Sequence, residues 1–201
     1  MRVDAPRQEV FIGYGAGGLA VIDAARRQRI ADIPLPAHPE GFELGPEGGR
    51  IFVNLPEARQ IAVIDGAARR RVAHWTVPNA RANFPMAVDA AARRVVAVFR
   101  APPRLVAFDA VSGDVRADLP TCGDADDVFV DVKRGRLYVS CGEGAIEVFE
   151  RRPEGYAALA RIATARGART ALFAPERDRL YLAVPARGGE DAAIWIFRPL
   201  P

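Results

Sequence analysis

The chain has 201 residues, half of them hydrophobic and 26% charged, with a formal net charge of +3. That composition fits a single soluble domain with a sizeable core, and no apolar run approaches the length of a membrane span. The basic balance does not by itself imply nucleic acid: Lys133 is the only lysine, and the arginines are scattered over turns (Arg26, Arg27, Arg69, Arg70, Arg93, Arg94) rather than gathered on one face.

Taken in chain order, the residues repeat. Val21-Ile22-Asp23 returns as Val63-Ile64-Asp65, Ala107-Phe108-Asp109 and Val148-Phe149-Glu150, at steps of 42, 44 and 41 residues. A second phrase keeps the same register: Val10-Phe11-Ile12, Ile51-Phe52-Val53, Val95-Val96-Ala97, Leu137-Tyr138-Val139 and Leu180-Tyr181-Leu182. A period in the low forties built from strand-like runs predicts β-propeller blades. The first period opens on a stub at residues 1–4, and a helix is predicted over 23–29. The second gives strands over 41–46, 50–55, 60–65 and 71–77, with a glycine turn at Glu47-Gly48-Gly49. The third gives 84–89, 94–99, 105–109 and 115–119, and the fourth 127–132, 136–141, 145–150 and 156–162. The last gives only three strands, over 170–174, 179–184 and 193–197. The expectation is an all-β chain of about five four-stranded blades, bounded near 1–37, 38–80, 81–121, 122–165 and 166–201.

Several stretches carry the pattern of a known family: residues 10–23 (VFIGYGAGGLAVID), 33–53 (IPLPAHPEGFELGPEGGRIFV), 123–132 (GDADDVFVDV) and 167–182 (GARTALFAPERDRLYL). Over essentially its whole length the chain resembles the YncE-like propellers, whose blades carry the related YVTN repeat. The resemblance implies the C-terminal five blades of an incomplete seven-bladed ring. It also implies a binding scaffold without shared catalytic residues, from a family that is usually periplasmic or secreted. The start of this chain, Met1-Arg2-Val3-Asp4, has no apolar signal region, so the chain as it stands reads as cytoplasmic. Open blade edges are expected to favour self-association.

In a propeller the loops entering each first strand and those joining second to third strands gather around the channel. That face should carry His38, Glu40, Asn79, Arg81, Asn83, Asp124, Asp126, Asp127, Arg166 and Arg169 from the entry loops, and Tyr14, Asn54, Arg100, Glu143 and Arg187 from the others. His38, Glu40, Asn54, Asn83, Asp124, Asp126, Asp127 and Arg169 are the candidate ligand-binding set. Asp124 and Asp126 are candidate ligands of a hard cation such as Ca²⁺, which takes roughly six to eight oxygens, so Glu143 or backbone carbonyls would have to contribute. The favoured alternative is that Asp126 and Asp127 accept backbone hydrogen bonds at the strand entry, with Asp127 capping its own turn and Asp124 left free for a partner. His38 is the better placed of the two histidines as a ligand or base; His74 reads as a surface residue.

Gly13-Tyr14-Gly15-Ala16-Gly17-Gly18 satisfies the dinucleotide pattern G-x-G-x-x-G. The phrase is followed by a strand and not by the helix that cofactor binding needs, so it reads as a hairpin turn and no cofactor is expected. Cys122 and Cys141 match neither a zinc spacing nor a disulfide framework. The function that follows is non-enzymatic binding of a small molecule, peptide or protein on the channel face, with nucleic acid at most a weak, salt-sensitive partner. The alternative is a lactonase-like propeller hydrolase, possibly metal-dependent, since the fold alone excludes no chemistry.

Overall fold

A computed structural model describes residues 1–45 and 49–200; the turn expected at 47–49 falls largely outside the described residues. Blade one is β1 (Arg2–Asp4), β2 (Glu9–Tyr14), β3 (Gly18–Asp23) and β4 (Gln28–Pro34). Blade two is β5 (Phe42–Leu44), β6 (Arg50–Leu55), β7 (Gln60–Asp65) and β8 (Arg70–Trp75). Blade three is β9 (Arg81–Asp89), β10 (Arg94–Ala101), β11 (Pro103–Asp109) and β12 (Val115–Pro120). Blade four is β13 (Ala125–Asp131), β14 (Arg136–Cys141), β15 (Ala145–Arg152) and β16 (Gly155–Ala163). Blade five has three strands, β17 (Ala171–Ala174), β18 (Arg179–Val184) and β19 (Ala193–Phe197), with one 3₁₀ turn at Pro175–Arg177. Each sheet is an antiparallel meander in sequence order.

The repeated phrases act locally. In all four four-stranded blades the pairing of third and fourth strands slips by a β-bulge within the same phrase, at Val21/Ile22, Val63/Ile64, Ala107/Phe108 and Val148/Phe149. A bulge increases local twist, and its recurrence gives successive blades the same shape. The aspartate that follows caps the next turn. Asp23 Oδ1 accepts the N–H of Arg26 and Asp65 Oδ1 that of Ala68, both at 2.8 Å, while Asp109 Oδ1 accepts those of Val111 and Ser112 at 2.9 Å. This corrects the helix expected over 23–29. The Asp23 side chain offers the backbone a turn, Arg27 adopts φ 55°, and the chain enters β4 directly. The glycine phrase is a hairpin turn between β2 and β3, as read from sequence. Gly15 sits at φ 57°, and a Cβ on Gly17 would meet the Leu35 carbonyl oxygen at 2.3 Å.

Blades stack face to face. The innermost strands follow one another, β1 beside β5, β5 beside β9, β9 beside β13 and β13 beside β17, which places first strands around a common axis. Among the described residues four apolar clusters occupy the four seams between consecutive blades. At the seam of blades two and three, Phe52, Ile61 and Val63 meet Val95, Ala97 and Phe108. Trp75 closes its outer end, ring centroids 5.2 Å from Phe52 and 5.4 Å from Phe108. Middle strands are covered on both sides, which is why they read as continuous apolar runs. A fully buried phenylalanine such as Phe52, Phe108 or Phe149 contributes about 1.5–3 kcal/mol relative to exposure. The outward faces of the two end blades differ. Leu172, Ile194 and Ile196 are each 60% exposed, and Val3 is 59% exposed.

Cys122 and Cys141 form a disulfide, contrary to the reading of their spacing. Spacing was uninformative because the two meet across a hairpin: Cys141 pairs with Ala125 at the start of β13, just beyond Cys122. The bridge spans 19 residues and lies buried in the cluster between blades three and four. Replacing both cysteines by alanine should lower stability by about 2–4 kcal/mol in urea unfolding. Thiol titration of the denatured, unreduced protein should find no free cysteine; two reactive thiols would refute the bridge.

Candidate ligand face

Backbone hydrogen bonds tie the entry loop of one blade to the loop joining its own second and third strands or those of a neighbouring blade. Leu35 N–H donates to the Gly17 carbonyl, Glu40 N–H to Asn54, Gly142 N–H to Asp124 and Gly167 N–H to Gly142. These bonds put both loop types on one side. The turns between first and second and between third and fourth strands are tied together on the other, as in Ala24 to Gln8 and Ala110 to Arg93.

On this face an ion network joins three blades. Arg100, at the end of β10, donates from Nε to the Ala125 carbonyl at 2.7 Å and from Nη2 to Asp126 Oδ1 at 2.6 Å. Its guanidinium lies 4.3 Å from the ring centroid of Phe84, so a cation–π contact fixes its plane. Arg169, from the loop entering blade five, donates from Nη1 to both oxygens of Asp124 at 2.7 Å. Arg100 Nη1 also lies 3.4 Å from Asp124, and Arg169 Nε lies 3.9 Å from Asp126. Two carboxylates of blade four are thus held between arginines of the blades on either side. Nearby, Arg161 first and then the Gly123 N–H hold the Glu143 carboxyl below the usual carboxylate range.

Beside the network, a channel cavity of about 280 Å³ is lined by Arg2, Glu40, Glu43, Phe84, Asp126 and Asp127 among others. Burial pushes the half-buried Asp127 carboxyl above its ordinary value; the Ala171 N–H opposes this and the Asp126 charge adds to it. Asp127 does not cap its own turn: its Oδ2 accepts the N–H of Ala171, at the start of β17, at 2.7 Å. The aspartate therefore tethers blade five to blade four.

The structure brings Asp124, Asp126 and Arg169 together and places Glu40 with Asp126 and Asp127 along one cavity. Asp124, expected to be free, is bound by Arg169. Among the described residues no three His, Cys, Asp or Glu side chains assemble as a metal-ligand set. His38, in the link from β4 to β5, is held to blade one, its Nδ1 donating to the Gly15 carbonyl at 2.5 Å. Asn54 and Asn83 do not reach the surface. Both are fully buried, Asn83 Nδ2 donating to Asn54 Oδ1 at 2.9 Å and Asn54 Nδ2 to the Phe84 carbonyl at 3.0 Å. They fasten blade two to blade three, a role set by the depth of the seam. Arg2 and Glu43 were missed as channel residues. The alternation of the first strands was the available signal, but short β1 and β5 weaken it.

No family model matches the sequence, and a search of curated proteins finds no match. Solved structures do match. The chain is similar to Kuenenia stuttgartiensis hydrazine synthase, with TM-score 0.74 and 16% identity, over 90% of this chain and 59% of that one. It is similar to a chain of the mitotic checkpoint complex, with TM-score 0.80 and 11% identity, over 96% of this chain and 60% of that one. It is similar to the dihydro-heme d1 dehydrogenase NirN, with TM-score 0.73 and 18% identity, over 96% of this chain and 44% of that one. These are β-propeller proteins. The chain has the β-propeller fold. At these identities the likeness concerns the fold alone, and this chain spans less than two thirds of each of these three chains.

The position of Asp127 in this propeller yields a pH dependence. Its folded-state pKa is raised, so the folded state gains protons there. The associated stability is complete below about pH 4, the unfolded value, and is lost as pH rises through the raised folded value. Asp127→Asn removes the charge and keeps an acceptor for Ala171. Relative to this variant, wild type should lose stability between pH 4 and neutrality, while Asp127→Ala should cost about 1 kcal/mol throughout. Parallel pH profiles for wild type and Asp127→Asn would show that the charge carries no burial penalty.

Proposed function

We propose that this propeller is a non-enzymatic binding scaffold of the YncE-like type that recognises its ligand at the channel mouth. The network Arg100–Asp126 and Asp124–Arg169 carries this reading. It presents both charge signs on a rigid, partly exposed surface spanning three blades, suited to a small molecule or peptide with paired polar groups. The repeat phrases shared with the YncE-like pattern support the family assignment. A buried disulfide fits an oxidising compartment, which argues for an exported protein.

Native mass spectrometry against a library of peptides and small molecules tests the reading. A retained ligand that is lost in Asp124→Ala with Asp126→Ala is the expected result. Equal retention in that variant would place binding elsewhere. A stoichiometric divalent ion together with lactone hydrolysis would overturn the scaffold reading in favour of a hydrolase.

A further inference from the structure

A second feature lies on the same side of the propeller and shares no residue with the channel network. Where blades two and three meet, an open cleft of about 690 Å³ is lined by Arg59, Thr76, Asn79 and Arg81, over a floor that includes Val77 and Pro102. Arg59 comes from the β6–β7 turn. Asn79 comes from the link into β9 and Arg81 from the first position of β9, where it pairs with Ala101. The cleft is therefore built from two blades, and its walls are positioned by the apolar seam between them.

Its chemistry is one-sided. Each guanidinium offers five N–H donors, the Asn79 amide two and the Thr76 hydroxyl one. No carboxylate lines the cleft, and Glu57, the nearest acid in sequence, is exposed outside it. In the channel network the arginines are engaged: Arg100 on Asp126, Arg169 on Asp124 and, nearby, Arg161 on Glu143 and Glu147. The guanidinium groups of Arg59 and Arg81 make no ion pair or hydrogen bond with any described residue, so their donors face the open cleft. Paired arginine forks match the oxygens of a phosphate or carboxylate in a way that single lysines do not. The volume falls within the range of small-molecule clefts and far exceeds what one inorganic anion fills, and the Val77, Ala80 and Pro102 surface suits an organic body.

We infer that the cleft between blades two and three binds an organic oxyanion, a small molecule whose phosphate or carboxylate group is held by Arg59 and Arg81. The channel-mouth site and this cleft share no residue, so each stands or falls separately.

Calorimetric titration with phenyl phosphate, benzoate and phenol at low ionic strength tests it, since the three share a ring and differ in the headgroup. One or both anions should bind at least about tenfold tighter than phenol, and raising the salt should weaken them. Preference for phenyl phosphate assigns a phosphorylated ligand, and preference for benzoate a carboxylated one. Arg59→Ala and Arg81→Ala should each weaken binding about tenfold or more, while Arg27→Ala, on the opposite face, should leave it unchanged. Neither cleft arginine has a partner to lose, so both variants should melt like wild type. Phenol binding as tightly as the anions, no anion binding at all, or full affinity in the doubly substituted protein would overturn the inference. None of these outcomes would touch Asp124 or Asp126.

Discussion

Asp89→Ala should be among the most damaging single substitutions in this chain, costing about 3–5 kcal/mol in urea unfolding. Asp89 ends β9 at 1% exposure, and its carboxylate accepts from Arg151 Nε at 2.7 Å, Arg151 Nη2 at 2.8 Å and the Tyr156 hydroxyl at 2.7 Å. It also accepts the Ala92 N–H at 3.2 Å, so one side chain both caps its own turn and anchors blade four to blade three. Burial and then the Asp89 hydrogen bond push the Tyr156 phenol well above its ordinary value, so it acts as a donor at every working pH. Removing the carboxylate strands a guanidinium and a buried hydroxyl together. Asp65→Ala deletes a turn cap of the same local type with an exposed partner, Ala68 N–H, and should cost only about 0.5–2 kcal/mol. The two variants isolate the cross-blade part of the interaction. Equal losses would mean that the tie to Arg151 and Tyr156 adds nothing beyond the turn.

The second large effect is on assembly. As these 201 residues, the protein should associate head to tail with copies of itself. Each of the four internal seams buries one face of a blade against the opposite face of the next. The two end faces are therefore complementary halves of a further seam. On blade five, Leu172, Tyr181 and Ile196 form one cross-strand row with Ile194 beside it; on blade one, Val3, Val10 and Ile22 form another. Such a contact between unlike faces is heterologous and does not close on itself unless the geometry allows a ring. Sedimentation should show mass rising with concentration. Ile194→Glu with Ile196→Glu blocks one face and Val3→Glu with Val10→Glu the other. Each variant alone should be monomeric, and a mixture should give one-to-one dimers. A wild type that stays monomeric at high concentration excludes the contact. A singly blocked variant that still dimerises means that like faces pair instead.

The propeller was legible because its determinants are local and repeated. The phrase ending in Asp23, Asp65 and Asp109 encodes a strand, a bulge and a capped turn within about ten residues, and the β6, β7 and β14 boundaries match the sequence reading at both ends. The same local logic read the glycine phrase as the hairpin turn between β2 and β3. The predicted helix at 23–29 failed on a local competitor, the Asp23 side chain, which composition does not weigh. What the sequence left open were contacts between blades. Asn54 and Asn83 are polar loop-end residues in sequence and buried clamps in the fold, because only the depth of the seam distinguishes a surface amide from an interior one. Cys122 finds Cys141 across a hairpin, and Asp127 serves a blade that begins 44 residues later. Sequence alone determined strand order and blade count, since each depends on backbone preference and apolar period within one repeat. Which arginines are neutralised and which stand free, Arg100 and Arg169 against Arg59 and Arg81, was decided by tertiary structure, because each charge meets its partner only when separate blades are stacked.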